Sequence, residues 1–265
     1  MASKIRKNRN YLSPAEPRYA ELNAGHVRSP SSCHQLKVVS YNIKFAQKID
    51  QAIDILATDR HVNDADIILL QEMDPSGVIK IAHALKHNYV YYPAIVHPKH
   101  EKDFGNAILS KWPILSDKKI ILPYTRADSH QRIAVSSVLK IGSAHIQVFS
   151  VHMGIFINAS QRKEIIQFLI NHVPQDISHC IVAGDFNTFT NTQHHHIHNS
   201  FKEADYHLAT ESVNWTYKHW YLLNRKSNLD HIYAKNLKVV SSGIVNNQSA
   251  SDHVPVWAVF TFEKQ

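Results

Sequence analysis

The sequence predicts an α+β domain in which two packed β-sheets are flanked by helices. Three observations lead there. Apolar runs are short, β-branched and numerous; helical spacing is confined to three separate segments; and the middle of the chain lacks the regular strand–helix alternation of a parallel doubly wound sheet. With 265 residues, 44% of them hydrophobic, the chain can bury the core of one large domain.

Taken in order, residues 1–34 are rich in Ser, Pro, Lys and Arg without sustained periodicity, and are expected to form a flexible basic N-terminal arm. Much of the formal charge of +7 sits there, in Lys4, Arg6, Lys7, Arg9, Arg18 and Arg28. That balance favours a polyanionic partner, nucleic acid or an acidic membrane surface, although a basic tail on an ordinary domain accounts for it equally. From Leu36 onward strand-like segments begin. Ile49, Ala52, Ile53 and Leu56 give one helical stripe, and Val78, Ile79, Ala82 and Leu85 a second. A third contains Ile165, Ile166, Leu169 and Ile170, with Ser160 as its expected N-cap. The remaining apolar runs, at residues 107–109, 133–139, 146–151, 180–183, 232–234 and 254–262, read as strands. They are spaced by turns such as Lys111-Trp112-Pro113 and Ile141-Gly142-Ser143.

Cys33 and Cys180 are too few for a disulfide scaffold, and no apolar leader follows the charged N-terminus. No segment has the roughly 18 consecutive apolar residues of a transmembrane helix. A cytoplasmic monomer is the expectation. There is no phosphate-cradling GxGxxG or Walker loop.

Five stretches end in side chains able to bind metal or move protons: Val38-Val39-Ser40-Tyr41-Asn42, Ile67-Ile68-Leu69-Leu70-Gln71-Glu72, Val148-Phe149-Ser150-Val151-His152, Ile181-Val182-Ala183-Gly184-Asp185-Phe186-Asn187 and Ser251-Asp252-His253. Strands laid side by side would bring these groups to one rim, with carboxylates, amides and imidazoles suited to a hard divalent cation and a phosphate group. Gly184 lets the chain turn sharply, so that Asp185 and Asn187, two apart, face one side. Taken alone, the segment is as readily an ordinary turn. Asp230, on a neighbouring strand, is better placed than the adjacent Asp252 to orient His253, because successive strand residues point to opposite faces.

The ordered set Ser40-Tyr41-Asn42, Leu70-Gln71-Glu72, Gly105-Asn106-Ala107-Ile108-Leu109-Ser110, Val151-His152, Gly184-Asp185-Phe186-Asn187 and Ser251-Asp252-His253 resembles the endonuclease/exonuclease/phosphatase (deoxyribonuclease I-like) superfamily, over about residues 36–262. The resemblance implies a four-layer α/β/β/α sandwich of two mainly antiparallel sheets flanked by helices, with residues 35–265 as the catalytic domain. It implies a hydrolase dependent on Mg²⁺ or Mn²⁺ that cleaves a phosphoester by in-line attack of water. Glu72 would be the main metal ligand, with Asn42 and Asp252 close to the ion. Asp185 would orient the attacking water, while Asn187 and His152 hold nonbridging oxygens. His253, paired with Asp230, would contact the phosphate or act as an acid/base. Asn106 is a candidate substrate contact; Arg132, at the start of a strand and outside the resemblance, is either a phosphate contact or a solvent-exposed strand charge.

Two departures bear on the branch. The glutamate that nuclease members place before a central strand is replaced here by Glu101-Lys102-Asp103-Phe104-Gly105-Asn106, and Asn106 is similar to the asparagine of sphingomyelinase-like members. Thr188-Phe189 stands where 5-phosphatases carry an aromatic–arginine pair. Nucleic acid is the first expectation for substrate, with phospholipid or a small phosphoester as the alternative and a non-catalytic phosphate-binding scaffold as a third. His194, His195, His196 and His198 are read as a surface loop, with transition-metal binding as the competing reading because imidazole suits Zn or Ni. Trp215, Tyr217, Trp220 and Tyr221, interleaved with Lys218, His219, Arg225 and Lys226, either pack an edge or stack on substrate. Arg162 is expected to be solvated, and Arg126 flanks a loop beside the Arg132 strand.

Overall fold

The computed structural model describes residues 9–22, 35–124, 130–219 and 225–262. Arg126, Trp220, Tyr221, Cys33 and Arg28 lie outside the described residues. Strand β1 (Tyr19–Glu21), β2 (Leu36–Asn42), β3 (Ile67–Met73), β4 (Asn88–Val96) and β5 (Asp103–Ser110) join the last two strands, β14 (Leu237–Ile244) and β15 (Val256–Phe262), in a seven-stranded sheet ordered β1-β4-β5-β3-β2-β15-β14. The second sheet has six strands: β6 (Ile114–Ile121), β7 (Ile133–Ile141), β8 (Ala144–His152), β9 (His179–Asp185), β10 (His207–Leu208) and β13 (Asp230–Lys235), in the order β10-β13-β9-β8-β7-β6. A small hairpin pairs β11 (Tyr217–Lys218) with β12 (Lys226–Ser227). Only β2–β3 and β8–β9 run parallel within the two sheets.

Alternation along the strands builds four layers. In β2, Val38 faces the other sheet, while Val39 and Tyr41 face α1 (Ile49–Thr58) and α2 (Pro75–Leu85). In β9, Ile181 and Ala183 enter the same central core, whereas Val182 packs outward toward α3 (Ala159–Ile170) and α4 (Asn191–Lys202). Helices therefore cover both outer faces, as expected from the sequence. A few polar groups cross the central core. Gln71 Nε2 donates to Ser150 Oγ at 3.0 Å, and Ser150 Oγ donates to Leu70 O at 3.0 Å. Since each buried polar atom needs a partner, these bonds hold one sheet in a single position over the other.

Three expectations are corrected. The N-terminal segment is not wholly an arm: β1 pairs with β4, Tyr11 N–H donates to Ala94 O at 2.9 Å, and Arg18 makes a two-pronged bond to Asp117 at 2.7 Å from each nitrogen. Residues 9–22 thus close the edge that β4 would otherwise expose. The N-cap of α3 is Asn158, in a reciprocal capping box with Gln161, and not Ser160. The histidine run is not a loop but the body of α4, started by a second capping box between Thr190 and Gln193.

Candidate active site

Strand order explains why distant residues share one rim. Asn42 and Gln71 are partners at the ends of the parallel pair β2–β3, and His152 and Asp185 are partners at the ends of β8–β9. Asp230 opens β13 directly opposite Asp185, because that pair is antiparallel. Ser251–His253 does not end a strand as the sequence reading held. It precedes β15, which runs antiparallel to β2, so the start of β15 meets the end of β2. Ser251 Oγ fastens this loop to Asn42 O at 2.8 Å.

The backbone departs from regularity where the site needs it. The β3–β5 register shifts between Leu70 and Met73, and Glu72 takes a left-handed φ of 60°. A bulge of this kind re-aims a side chain, and it directs Glu72 into the cleft. Phe45, Ala46 and Asn187 also have positive φ, at 53°, 49° and 52°. Such strain in non-glycine residues costs about 1–3 kcal/mol each and persists where surrounding contacts impose it, often at functional sites. Gly184, at φ 148°, allows β9 to lie against Val151: a Cβ there would sit 1.9 Å from Val151 O.

The result is a cleft of about 270 Å³ lined by Glu72, His152, Asp185, Asn187, Asp252, His253 and Arg132, among others. Asp185 lies at its centre. Its Oδ2 accepts from Asn42 Nδ2 at 3.0 Å and its Oδ1 from Asn187 N–H at 2.9 Å. His152 Nε2 and His253 Nε2 stand 3.7 and 3.8 Å from the same carboxylate. Beneath, Asp230 Oδ2 meets His253 Nδ1 at 2.8 Å, the pairing the strand geometry favoured. Thr216 Oγ1 accepts from Leu229 N–H and Asp230 N–H, each at 3.0 Å, and so fixes that turn.

Electrostatics separate the two imidazoles. Burial would lower the basicity of His253, but the adjacent Asp230 overrides it and holds the pKa up at about 10. His152 is pushed well below the ordinary histidine value by burial, then by Arg132 and His253. One imidazole is therefore cationic at neutral pH and the other neutral. Burial also raises the carboxyls of Glu72 and Asp185, opposed in both by His253. A cation placed among them would restore their ionised forms.

The donor set fits such a cation. Asn42 Oδ1 is buried with no hydrogen-bond partner among the described residues, and the carboxylates of Glu72, Asp185 and Asp252 line or underlie the same space. These are hard oxygens, suited to Mg²⁺ or Mn²⁺. Among the described residues, ligand atoms of Asp185, Asp230 and His253 lie within 4.8 Å of one another and could hold an ion. In that cluster the Asp230–His253 contact already occupies one atom of each residue. Lys44, in the 3-10 turn Lys44–Ala46, bridges to Asp252 at 2.8 Å and balances charge there.

Two sequence expectations fail here. Asn106 does not line the cleft. Its amide donates to Ile133 O at 3.0 Å and Ser150 O at 3.1 Å, tying β5 to β7 and β8 across the sandwich. Arg162 is not solvated: it is fully buried, and its guanidinium donates to Phe186 O at 2.7 Å and Asn187 O at 3.1 Å, bracing the loop behind Asp185. Sequence reading also missed Lys44 and Phe45, which reach the cleft from the 3-10 turn, and His97 and His130, which reach it from loops; none carries a local signature. Tyr217, from the aromatic–basic segment, does reach it, with its ring 4.8 Å from that of His253.

Comparison with known proteins agrees with this fold. The profile of the endonuclease/exonuclease/phosphatase family matches residues 39–253. A family protein from Leptotrichia buccalis C-1013-b superposes with a TM-score of 0.68 at 18% identity, covering 86% of this chain and 100% of that one. One from Bacteroides vulgatus gives 0.69 at 16% identity, with 86% and 99% covered. D. rerio TDP2, in a crystal structure with single-strand DNA product, gives 0.67 at 14% identity, again with 86% and 99% covered. No match was found among curated proteins. These similarities establish the fold, and the profile match over most of the chain shows that it belongs to the endonuclease/exonuclease/phosphatase family.

Proposed function

We propose that this protein is a divalent-metal-dependent phosphodiesterase acting on nucleic acid. The observation that carries the proposal is the convergence on Asp185 of a neutral imidazole, a cationic imidazole and an anchored amide. Asp185, held by Asn42 and the Asn187 amide, orients water for in-line attack and takes up its proton. His253, kept cationic by Asp230, donates to the oxygen on which negative charge develops. Asn187, fixed through Nδ2 to Met153 O at 2.8 Å, and His152 both line the cleft and would hold the nonbridging oxygens. Glu72, Asn42 and Asp252 would hold Mg²⁺ or Mn²⁺, which supplies positive charge to the phosphoryl group when bound. Arg132, buried with its guanidinium 5.4 Å from the Phe104 ring, adds a fixed cation.

The walls favour nucleic acid. Phe45, His97, Phe104, Phe189 and Tyr217 present rings around a cleft that also contains Lys44 and Arg132, and rings interleaved with cations suit stacked bases on a phosphate backbone. The net charge of +7 acts in the same direction, and the TDP2 structure with a DNA product shows a protein of this fold that takes such a ligand. A second reading, an amphiphilic phosphoester, draws on Phe156, which is 69% exposed next to cleft-lining Ile155. A panel of plasmid DNA, abasic duplex, RNA, sphingomyelin and inositol phosphates, assayed with Mg²⁺ and with EDTA, distinguishes them. Nucleic-acid cleavage that EDTA stops, Mg²⁺ restores and salt suppresses steeply is expected. Turnover of sphingomyelin or inositol phosphates alone refutes the nucleic-acid assignment, and full activity in chelator refutes the metal role.

A further inference from the structure

The packing of α4 on β13 gathers buried polar atoms that the proposed reaction does not use. His194 and His198 are one turn apart on α4, a spacing that places two imidazoles on one helix face. That face lies over His231 and Tyr233, which alternate on one side of β13. The His194 ring is 4.8 Å from His231, and the His198 ring is 6.5 Å from Tyr233. His231 is fully buried, and both helix histidines are close enough for their charge to act on it. Its tautomer follows from its partner. The single proton of Thr188 Oγ1 goes to Asn228 O at 2.8 Å, so the 2.9 Å contact requires His231 Nε2 to donate to Thr188. Nδ1 of His231 is then an unprotonated lone pair in the interior. It has no partner among the described residues, and the same holds for His194 Nε2 and His198 Nδ1.

Three imidazole nitrogens without partners lie at one helix–strand interface; as placed they do not converge to ligation distance, but their borderline softness sets them apart from the oxygen-rich cleft. We infer that His194, His198 and His231 bind a transition-metal ion of the Zn²⁺ class, separate from the hard cation of the cleft. The ion completes the set by drawing the two half-exposed helix side chains toward His231 through rotation of their own torsions. The backbone of α4 and β13 stays in place. Its fourth position is left to water or an anion. Occupancy clasps α4 to β13 one residue from Asp230, so binding stabilises the domain.

The test is Zn²⁺ titration of the full chain by calorimetry with Mg²⁺ in excess to occupy the cleft, alongside Co²⁺ absorption as a report of nitrogen ligation. The expected result is one tight equivalent that raises the melting temperature. Affinity should weaken roughly tenfold or more in His198→Ala and in His194→Gln, and stay unchanged in His195→Ala, whose side chain is exposed. Both substituted positions are half-exposed, and circular dichroism without metal verifies that the variants fold. Zn²⁺ binding that is equal in His198→Ala and the parent overturns the inference. So does a tight equivalent abolished by Glu72→Gln but retained in both helix variants.

Discussion

Replacing Asp230 with Asn isolates the charge that keeps His253 cationic. The amide can still accept from His253 Nδ1–H, so the 2.8 Å contact and the ring orientation survive while the negative charge does not. Held at about 10 against an ordinary 6.5, the His253 proton is bound more tightly by roughly 5 kcal/mol, at 1.36 kcal/mol per tenfold, as an order of magnitude. Burial opposes that figure, and Asp230 is the largest attraction behind it, ahead of Asp185 and Asp252. Without Asp230, the histidine should titrate near or below neutrality and lose its cation at physiological pH. The alkaline limb of the kcat profile should move from near 10 to near or below neutrality, with kcat at pH 8 falling about 10- to 100-fold as the protonated fraction drops. Stability follows the same linkage. A group whose pKa is raised on folding stabilises fully below its unfolded value and loses that contribution as pH rises through the folded one. The parent should therefore lose stability between about pH 6.5 and 10 more steeply than the variant. Stopped-assay pH–rate profiles and thermal melts at matched pH measure both quantities. An unchanged alkaline limb in Asp230→Asn would refute the dyad.

Asp185→Asn should reduce turnover by about 10²- to 10⁴-fold while changing stability by no more than about 1 kcal/mol, because relief of the buried charge offsets a donor–donor contact with Asn42; activity assays and urea melts measure the two effects. Arg162→Met should cost about 1–3 kcal/mol in urea unfolding, since it strips the donor from Phe186 O and Asn187 O; wild-type stability would contradict the bracing role. Gly184→Ala should lower the melting temperature by roughly 10 °C, as β8 and β9 must part to admit a Cβ 1.9 Å from Val151 O; an unchanged melt would show that the close approach is dispensable.

The sequence by itself determined the layers. The short continuous apolar runs in Val38–Asn42 and Ile67–Glu72 and the three helical stripes are local patterns, and they became β2, β3, α1, α2 and α3. Strands without that pattern were hidden. Asn88–Val96 contains Pro93, ordinarily a strand breaker, which a register shift between Pro93 and Ile95 absorbs, while Leu237–Ile244 is a half-exposed edge. The polar rim was legible because each of its members sits beside an apolar run. Tertiary structure alone decided their use. Sheet order placed the loop before β15 against the end of β2, and antiparallel pairing set Asp230 beneath His253. Burial converted Arg162 and Asn106 into internal ties, and packing against β13 gave the histidine run its partner in His231. Periodicity records which face of a segment is buried; which neighbour lies against that face depends on pairings between residues far apart in the chain, and no local pattern encodes them.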